Sequence, residues 1–161
     1  MLLIFTAILI CLVSLPFIAS TLIGPKIKYG EFPFRLEYEI RGQVVVVEDT
    51  IICKTDGINF DFLTPFRKWK NYLASGKELQ TKFREVSLLI DDINKIGVTL
   101  DSAGYYMGLR EEKYAKDGPV FDIFLFYSEY SRMPISTEKL WNEYGIRIIS
   151  FEPSPPLKNN K

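Results

Sequence analysis

The chain has no histidine among its 161 residues, and this absence excludes several kinds of chemistry. Without an imidazole there can be no Ser-His-Asp or Cys-His catalytic unit and no ordinary general base with a pKa near neutrality. A zinc site would need thiolates and imidazoles that are missing, and neither a Walker loop nor a Gly-x-Gly-x-x-Gly loop is present. The sequence therefore predicts no metal site, no cofactor and no assigned catalytic residue.

Cysteine is scarce and the net charge is zero. Only Cys53 lies beyond the apolar N-terminal segment that holds Cys11, so an internal disulfide framework is excluded. Without a histidine to stabilise a thiolate, Cys53 is interpreted as a core residue rather than a reactive thiol. Twenty basic side chains balance twenty acidic ones, so no overall field recruits nucleic acid, and no nucleic-acid partner is expected.

Charged side chains are also missing from the first 25 residues, and Lys26 is the first charged residue of the chain. A bilayer core about 30 Å thick is crossed by about 20 apolar residues in a helix, so residues 1–24 are predicted to form a transmembrane anchor. A cleaved signal peptide is the competing interpretation, because Pro16 interrupts the apolar run and the small residues Ala19 and Ser20 follow it.

The orientation of this anchor depends on few charges. Lys26 and Lys28 follow the segment, and the positive-inside rule taken literally would leave the domain in the cytoplasm. The bias amounts to two charges only, and a short anchor followed by one domain commonly serves export. We therefore expect a single-pass protein of the cell membrane that contacts the lipid bilayer through residues 1–23 and carries its domain outside the cytoplasm.

Residues 25–152 are predicted to form a single globular domain, followed by a flexible tail at 153–161. Apolar residues make up 47% of the chain and aromatic residues 14%, enough for one core. After Tyr29, apolar side chains alternate with charged ones, which indicates a half-buried strand. The apolar members of this alternation are Phe32, Phe34, Leu36, Tyr38 and Ile40.

Two hairpin turns are predicted from positions that tolerate a positive φ. A turn at Arg41 and Gly42 places Tyr38 opposite Val45, and on the other face Arg35 opposite Glu48. A second turn is predicted at Asp56 and Gly57. It would place Cys53 opposite Phe60 and Ile51 opposite Phe62.

Further strands and two helices complete the prediction. A short helix is expected from Thr64 to Gly76, and another from Ser136 or Thr137 to Gly145. Strands are predicted at residues 86–90, 96–100, 120–127 and 146–151. The expected fold is mainly β, an antiparallel sheet or sandwich with one or two short helices, preceded by one N-terminal transmembrane helix.

Arg67, Lys68 and Lys70 are candidates for contact with a membrane surface. On the expected helix they fall between aromatic residues, which would give a basic amphipathic turn beside the anchor. The alternative is an aromatic stripe that packs on the sheet with solvated basic side chains outside it.

Aromatic residues supply the candidate binding patch. Gly104 and Gly108 flank a Tyr-Tyr-Met stretch, and a bend there would re-aim its rings toward solvent. Such rings serve binding surfaces and also fill β cores. The predicted patch comprises Tyr105, Tyr106, Trp141 and Tyr144.

Carboxylates are the only side chains left for catalysis. An acid and base pair could hydrolyse sugars or cell-wall material, although neighbouring acids on a strand point to opposite faces and cannot pair with each other. The acids considered are Glu48, Asp49, Asp91, Asp92, Asp101, Asp122 and Glu129. The first functional hypothesis is a non-catalytic interaction or cell-envelope module with another envelope protein or polymer as partner, and the alternative is a carboxylate-dependent hydrolase.

The stretch Pro-Lys-Ile-Lys-Tyr-Gly-Glu-Phe-Pro-Phe-Arg-Leu-Glu-Tyr-Glu-Ile at residues 25–40 resembles small uncharacterised membrane-anchored proteins of Gram-positive bacteria. The likeness extends to the Tyr-Tyr-Met-Gly stretch at residues 105–108. It implies an anchored architecture and an envelope habitat, and it supplies no site residues.

A reporter that is active only outside the cytoplasm, fused after Lys161, is expected to be active, whereas a reporter that works only in the cytoplasm should be silent. The fusion should also keep the mass of the whole chain, because the anchor is expected to stay attached. A cytoplasmic signal would contradict the orientation. A product shorter by about 20 residues would identify a cleaved signal peptide instead.

Overall fold

The computed structural model describes residues 27–61, 64–83, 85–109 and 119–158. The predicted anchor at residues 1–24 lies outside these ranges. Within them, no helix has both the length and the apolar character needed to span a bilayer. The elements are β1 Tyr29–Ile40, β2 Gln43–Asp61, β3 Thr64–Leu73, β4 Val86–Asp91, β5 Ile96–Leu100, α1 Ala103–Tyr106, β6 Phe121–Ser128, β7 Ser131–Pro134, α2 Thr137–Tyr144 and β8 Ile146–Pro153.

The strands form two antiparallel sheets, which confirms the predicted mainly β architecture with short helices. The first sheet has the order β3-β2-β1-β8 and the second has the order β4-β5-β6-β7. Buried apolar side chains from both sheets belong to one core cluster. Phe121 of the second sheet stacks on Phe151 of the first, with ring centroids 4.6 Å apart. The two sheets therefore pack around a shared core.

The first hairpin has the predicted register. Tyr38 pairs with Val45, and Arg35 pairs with Glu48. Arg41 and Gly42 both have positive φ, 53° and 78°, as a two-residue primed turn requires. The apolar residues of β1 therefore all face the core, as their alternation predicted.

The predicted turn at Asp56 and Gly57 is wrong, because β2 continues through these residues to Asp61. The ladder between β2 and β3 shifts register between Thr55 and Ile58, and Gly57 takes a φ of 84° there. A β-bulge uses a left-handed glycine as readily as a hairpin turn does, so the dipeptide fits both structures.

The helix predicted to start at Thr64 is also wrong, because these residues form β3. Apolar residues at 66, 69, 72 and 73 fit a helical spacing, but pairing with β2 overrides this local pattern. In the observed register, Leu73 lies opposite Ile51 and Asn71 lies opposite Cys53, in place of the partners expected from a turn at 56 and 57.

The rest of the fold follows the predicted order of elements. The four later strands form β4, β5, β6 and β8 close to their expected bounds. The helix expected after Ser136 is α2, where the Ser136 hydroxyl accepts a hydrogen bond from the Lys139 N–H at 3.2 Å and Gly145 ends the helix with a φ of 62°. The short strand β7 and the one-turn helix α1 were not predicted as such.

The described residues after β8 make backbone hydrogen bonds to the domain. The Ser154 N–H donates to the Pro33 carbonyl at 3.1 Å, and the Leu157 N–H donates to the Tyr106 carbonyl at 2.8 Å. The side chain of Leu157 also packs against the core. Backbone hydrogen bonds therefore continue past the last strand.

We expect Ile51→Ala to lower the free energy of unfolding by about 2–5 kcal/mol, because this fully buried side chain fills the core between the sheets. Ile149→Ala is the matched control, since Ile149 belongs to the same sheet but is 44% exposed. Its loss should be about 1 kcal/mol or less. Urea unfolding of the full chain in detergent measures both values, and equal losses would contradict the burial of Ile51.

Candidate binding cleft

Tyr105 and Tyr106, predicted to form an exposed patch, instead lie in the core. The Ser102 hydroxyl accepts a hydrogen bond from the Gly104 N–H at 3.3 Å and starts the single turn of α1. That turn points both rings inward, where Tyr106 is fully buried and lies 5.0 Å from Phe32 between ring centroids. A bulge between the two glycines would have exposed the rings, whereas the helical turn buries them.

Trp141 and Tyr144, the other members of the predicted patch, lie on α2. Trp141 is exposed, and the Arg147 guanidinium lies 5.7 Å from the centroid of its ring. Tyr144 is half-buried and packs against the core. With the tyrosine pair of α1 inside the core, the four residues do not form one surface.

Arg67, Lys68 and Lys70, predicted to face a membrane on a helix, lie on strand β3. Because successive side chains of a strand point to opposite faces, Arg67 lies on one face and the two lysines lie on the other. Lys68 Nζ pairs with Asp56 Oδ2 at 3.2 Å. The three residues therefore do not present the single basic face that a helix would have turned toward lipid headgroups.

A cleft of about 610 Å³ lies beside the outer edge of β3. Residues 67–72 form one wall, and residues 78–81, 83 and 85–87, which lead into β4, form the opposite wall. Residues 102–104, at the start of α1, complete the lining. This volume is within the range of about 300–1,000 Å³ that is typical of ligand sites.

Alternate backbone N–H groups of β3 point toward β2 and toward the cleft. The Ala74 N–H donates to the Thr50 carbonyl on β2 at 2.9 Å. Since the backbone groups of successive strand residues point to alternate sides, the Leu73 N–H points away from β2. It donates to a carboxylate oxygen of Glu78 at 3.3 Å, across the end of the cleft.

The same alternation turns the backbone N–H and C=O groups of Arg67 and Trp69 toward the cleft. In the part of the chain that the structure describes, β3 is one of the two edge strands of its sheet, and β8 is the other. The outer edge of β3 can therefore accept a further strand, as edge strands do in peptide recognition.

Arg132, on β7 of the second sheet, contacts the opposite wall of the cleft. Its guanidinium lies between the rings of Phe83 and Phe124, 4.0 Å from each ring centroid. It also pairs with Glu85 at 3.5 Å, and its side chain is only 16% exposed. Stacking holds Phe83 in place, and charge pairing holds Glu85.

The acids that line the cleft have partners, whereas two buried polar atoms of its lining make no hydrogen bond within the described ranges. The carboxylate of Glu78 accepts a backbone N–H, and that of Glu85 pairs with an arginine. By contrast, Arg67 Nε is buried and makes no hydrogen bond within the described ranges. The same holds for the Oγ of Ser87, a residue that is 1% exposed. Buried donors in this state normally cost stability, so a ligand acceptor would be stabilising here.

The two most buried acids considered for catalysis, Asp91 and Asp101, accept hydrogen bonds from within the domain. Asp91 Oδ1 accepts a hydrogen bond from the Ile93 N–H at 3.0 Å, and Asp91 Oδ2 accepts one from the Asn94 side chain at 2.6 Å. Burial acts to raise the pKa of Asp91, but these hydrogen bonds outweigh it and hold the pKa below its ordinary value. Asp101 accepts a hydrogen bond from the Val120 N–H at 2.8 Å. None of the acids considered for catalysis lines the cleft; the others are Glu48, Asp49, Asp92, Asp122 and Glu129.

Comparisons of the chain with protein-family models, with curated proteins and with solved structures find no match. The interpretation of the cleft therefore rests on its geometry. Sequence reasoning missed the wall around Glu78 and Phe83, because the segment before the predicted strand at 86–90 has no strand or helix period. A lone Phe83 among polar residues is the one signal that could have indicated a packed segment there.

Burial of Cys53 in the core leads to a pH prediction. Desolvation raises the pKa of its thiol to about 12, from an ordinary value of 9.0. Above pH 9 the unfolded chain releases this proton while the folded chain keeps it, so the free energy of unfolding should fall by up to about 1.4 kcal/mol per pH unit. Burial also raises the pKa of Tyr106, which extends the decline above pH 10.

Urea unfolding at pH 8, 9 and 10 measures this slope, and Cys53→Ala should flatten it below pH 10. If the wild-type chain and the Cys53→Ala variant lose stability equally over this interval, the thiol is not the group responsible.

Proposed function

We propose that this chain is a single-pass membrane protein whose β domain, outside the cytoplasm, is a non-catalytic binding module for an extended polypeptide. The binding site is the cleft beside β3, and the partner is another protein of the cell envelope. The observation that carries this proposal is the outer edge of β3, which pairs with no further strand in the described part of the chain. There Arg67 and Trp69 turn their backbone groups toward a cleft of about 610 Å³.

Recognition by strand addition explains why a polar backbone edge lies in a cleft. An added strand would supply C=O and N–H partners to β3, and these main-chain bonds give affinity for an extended chain. The Glu78 carboxylate already accepts one such outward N–H at 3.3 Å, from Leu73 at the end of the strand. This contact marks one end of the edge, and the outward backbone groups of Arg67 and Trp69 lie before it along the strand.

The position of the anchor is compatible with this role. Residues 24–28 connect the apolar segment to β1 and span at most roughly 17 Å. A domain held this close to a bilayer meets partners that are themselves anchored or embedded nearby, and tethering raises their effective concentration.

The placement of the acids favours binding over hydrolysis. Glycosidase chemistry needs two carboxylates about 5–10 Å apart on either side of a substrate. The two acids that line the cleft, Glu78 and Glu85, are already engaged by a backbone N–H and by Arg132. Binding therefore accounts for more of the cleft than catalysis does.

We expect Gln80→Trp to abolish peptide binding, because Gln80 is an exposed residue of the cleft wall and an indole there would fill the space beside β3. The probe is a random linear 12-residue peptide library displayed on phage and selected against the full chain in nanodiscs. Selected peptides should bind the Gln80→Trp variant at least about tenfold more weakly than the wild-type chain, as measured by fluorescence anisotropy.

Gln43→Trp is the matched control, since Gln43 is also exposed but lies at the far hairpin and outside the cleft. It should change the affinity by less than about twofold. Peptides that bind the Gln80→Trp variant as tightly as the wild-type chain would exclude the cleft as the site. A selection that enriches no peptide would overturn the proposed function.

A further inference from the structure

We infer that the extended chain taken up by the cleft presents a carboxylate side chain to Arg67. This inference rests on the proposed function and adds the chemistry of the partner. Its basis is the buried guanidinium Nε of Arg67, which makes no hydrogen bond within the described ranges, in a cleft whose acids already accept a hydrogen bond or pair with a cation.

The charges around the cleft favour an acidic partner. Arg67, Lys68 and Lys70 line the β3 side, and Lys70 is exposed. Glu85 pairs with Arg132, and Lys68 pairs with Asp56. The charges that remain in the cleft are those of Arg67 and Lys70 against that of Glu78, whose hydrogen-bond partners are neutral. An incoming carboxylate would therefore meet positive charge that the cleft does not itself neutralise, and arginine is well suited to bind it through two parallel hydrogen bonds.

The register of β3 predicts where the carboxylate must stand in the partner. Arg67, Trp69 and Asn71 are alternate residues of the strand and share one face. A strand added to this edge places its own alternate residues beside them, at about 4.5–5.5 Å between Cβ atoms. The matching pattern is an acidic residue beside Arg67, an apolar residue beside Trp69 and a polar residue beside Asn71.

Arg67 also allows a test that separates a binding role from a structural one. Because its Nε has no hydrogen-bond partner in the described part of the chain, removing the guanidinium should not weaken the unliganded fold. A structural arginine would behave in the opposite way. Arg67→Met should therefore weaken binding while leaving the unfolding midpoint unchanged or higher.

The experiment compares two capped nine-residue peptides on the full chain in nanodiscs. One carries the core Gln-Thr-Val-Thr-Glu and the other Gln-Thr-Val-Thr-Gln, each flanked by Ser-Thr and Thr-Ser. The acidic peptide should bind the wild-type chain at least tenfold more tightly, by fluorescence anisotropy at low salt. Peptides with the reversed order of residues report whether the added strand runs parallel or antiparallel to β3.

Arg67→Met should abolish this preference, while Lys70→Met, which removes a charge from the other face of β3, should keep most of it. Should Arg67→Met fail to fold, Arg67→Lys takes its place. Arg67→Lys retains the charge but loses the two-pronged geometry, so the preference should fall several-fold. An unfolding midpoint lowered by several degrees in a folded Arg67→Met variant would indicate a structural arginine and overturn the inference.

Other outcomes separate this inference from the proposed function. Equal binding of the acidic and amide peptides would overturn the inference of a carboxylate in the partner, while the proposal of strand addition would stand. If only library-selected peptides bind, the Glu-to-Gln comparison is made on those, and an absence of acidic residues in them overturns the inference. Failure of all peptides overturns the proposed function itself. Polyphosphate is a second probe. If it binds more tightly than the acidic peptide and Arg67→Met removes this binding, the ligand of the cleft is an anionic polymer, and the inference of an acidic peptide is overturned.

Discussion

The apolar face of β1 is the constraint on which the rest of the structure depends. This strand pairs with β2 on one side and β8 on the other, so its inward side chains lie at the centre of the first sheet. Leu36 is fully buried there, and Phe32 contacts the ring of Tyr106 on α1. The neighbouring strands β2 and β8 pair with β1, and buried side chains of the second sheet and of α1 belong to the same core as this face.

Local sequence signals predicted those parts of the fold in which side-chain period and backbone conformation agree. The β1 alternation and the positive φ values at Arg41 and Gly42 point to the same hairpin, and its register is confirmed. At Asp56 and Gly57 the same backbone tolerance permits either a turn or a bulge. Only pairing with β3, a non-local contact, decides between them, so both the turn and the following helix were predicted wrongly.

The cleft was harder to predict than the sheets because contacts between residues distant in sequence position its walls. Arg67 was singled out by its charge, but its place on a strand edge depends on the register of β2 with β3. The opposite wall depends on Arg132 stacking between Phe83 and Phe124, a contact between segments with no shared pattern. The residue types indicated possible hydrogen-bond donors, but only the tertiary structure shows which of them lie together around the cleft.

The pairing of β1 with β8 makes the first and last strands of the domain neighbours. When a chain emerges N-terminus first from the ribosome or a translocation channel, this sheet is therefore incomplete until residues 146–153 have emerged. Throughout that interval one edge of β1 stays unpaired beside an apolar face, a combination that favours aggregation between nascent chains. Completion of this domain is consequently a late event in biosynthesis, and a premature stop before Ile146 would leave that edge permanently exposed.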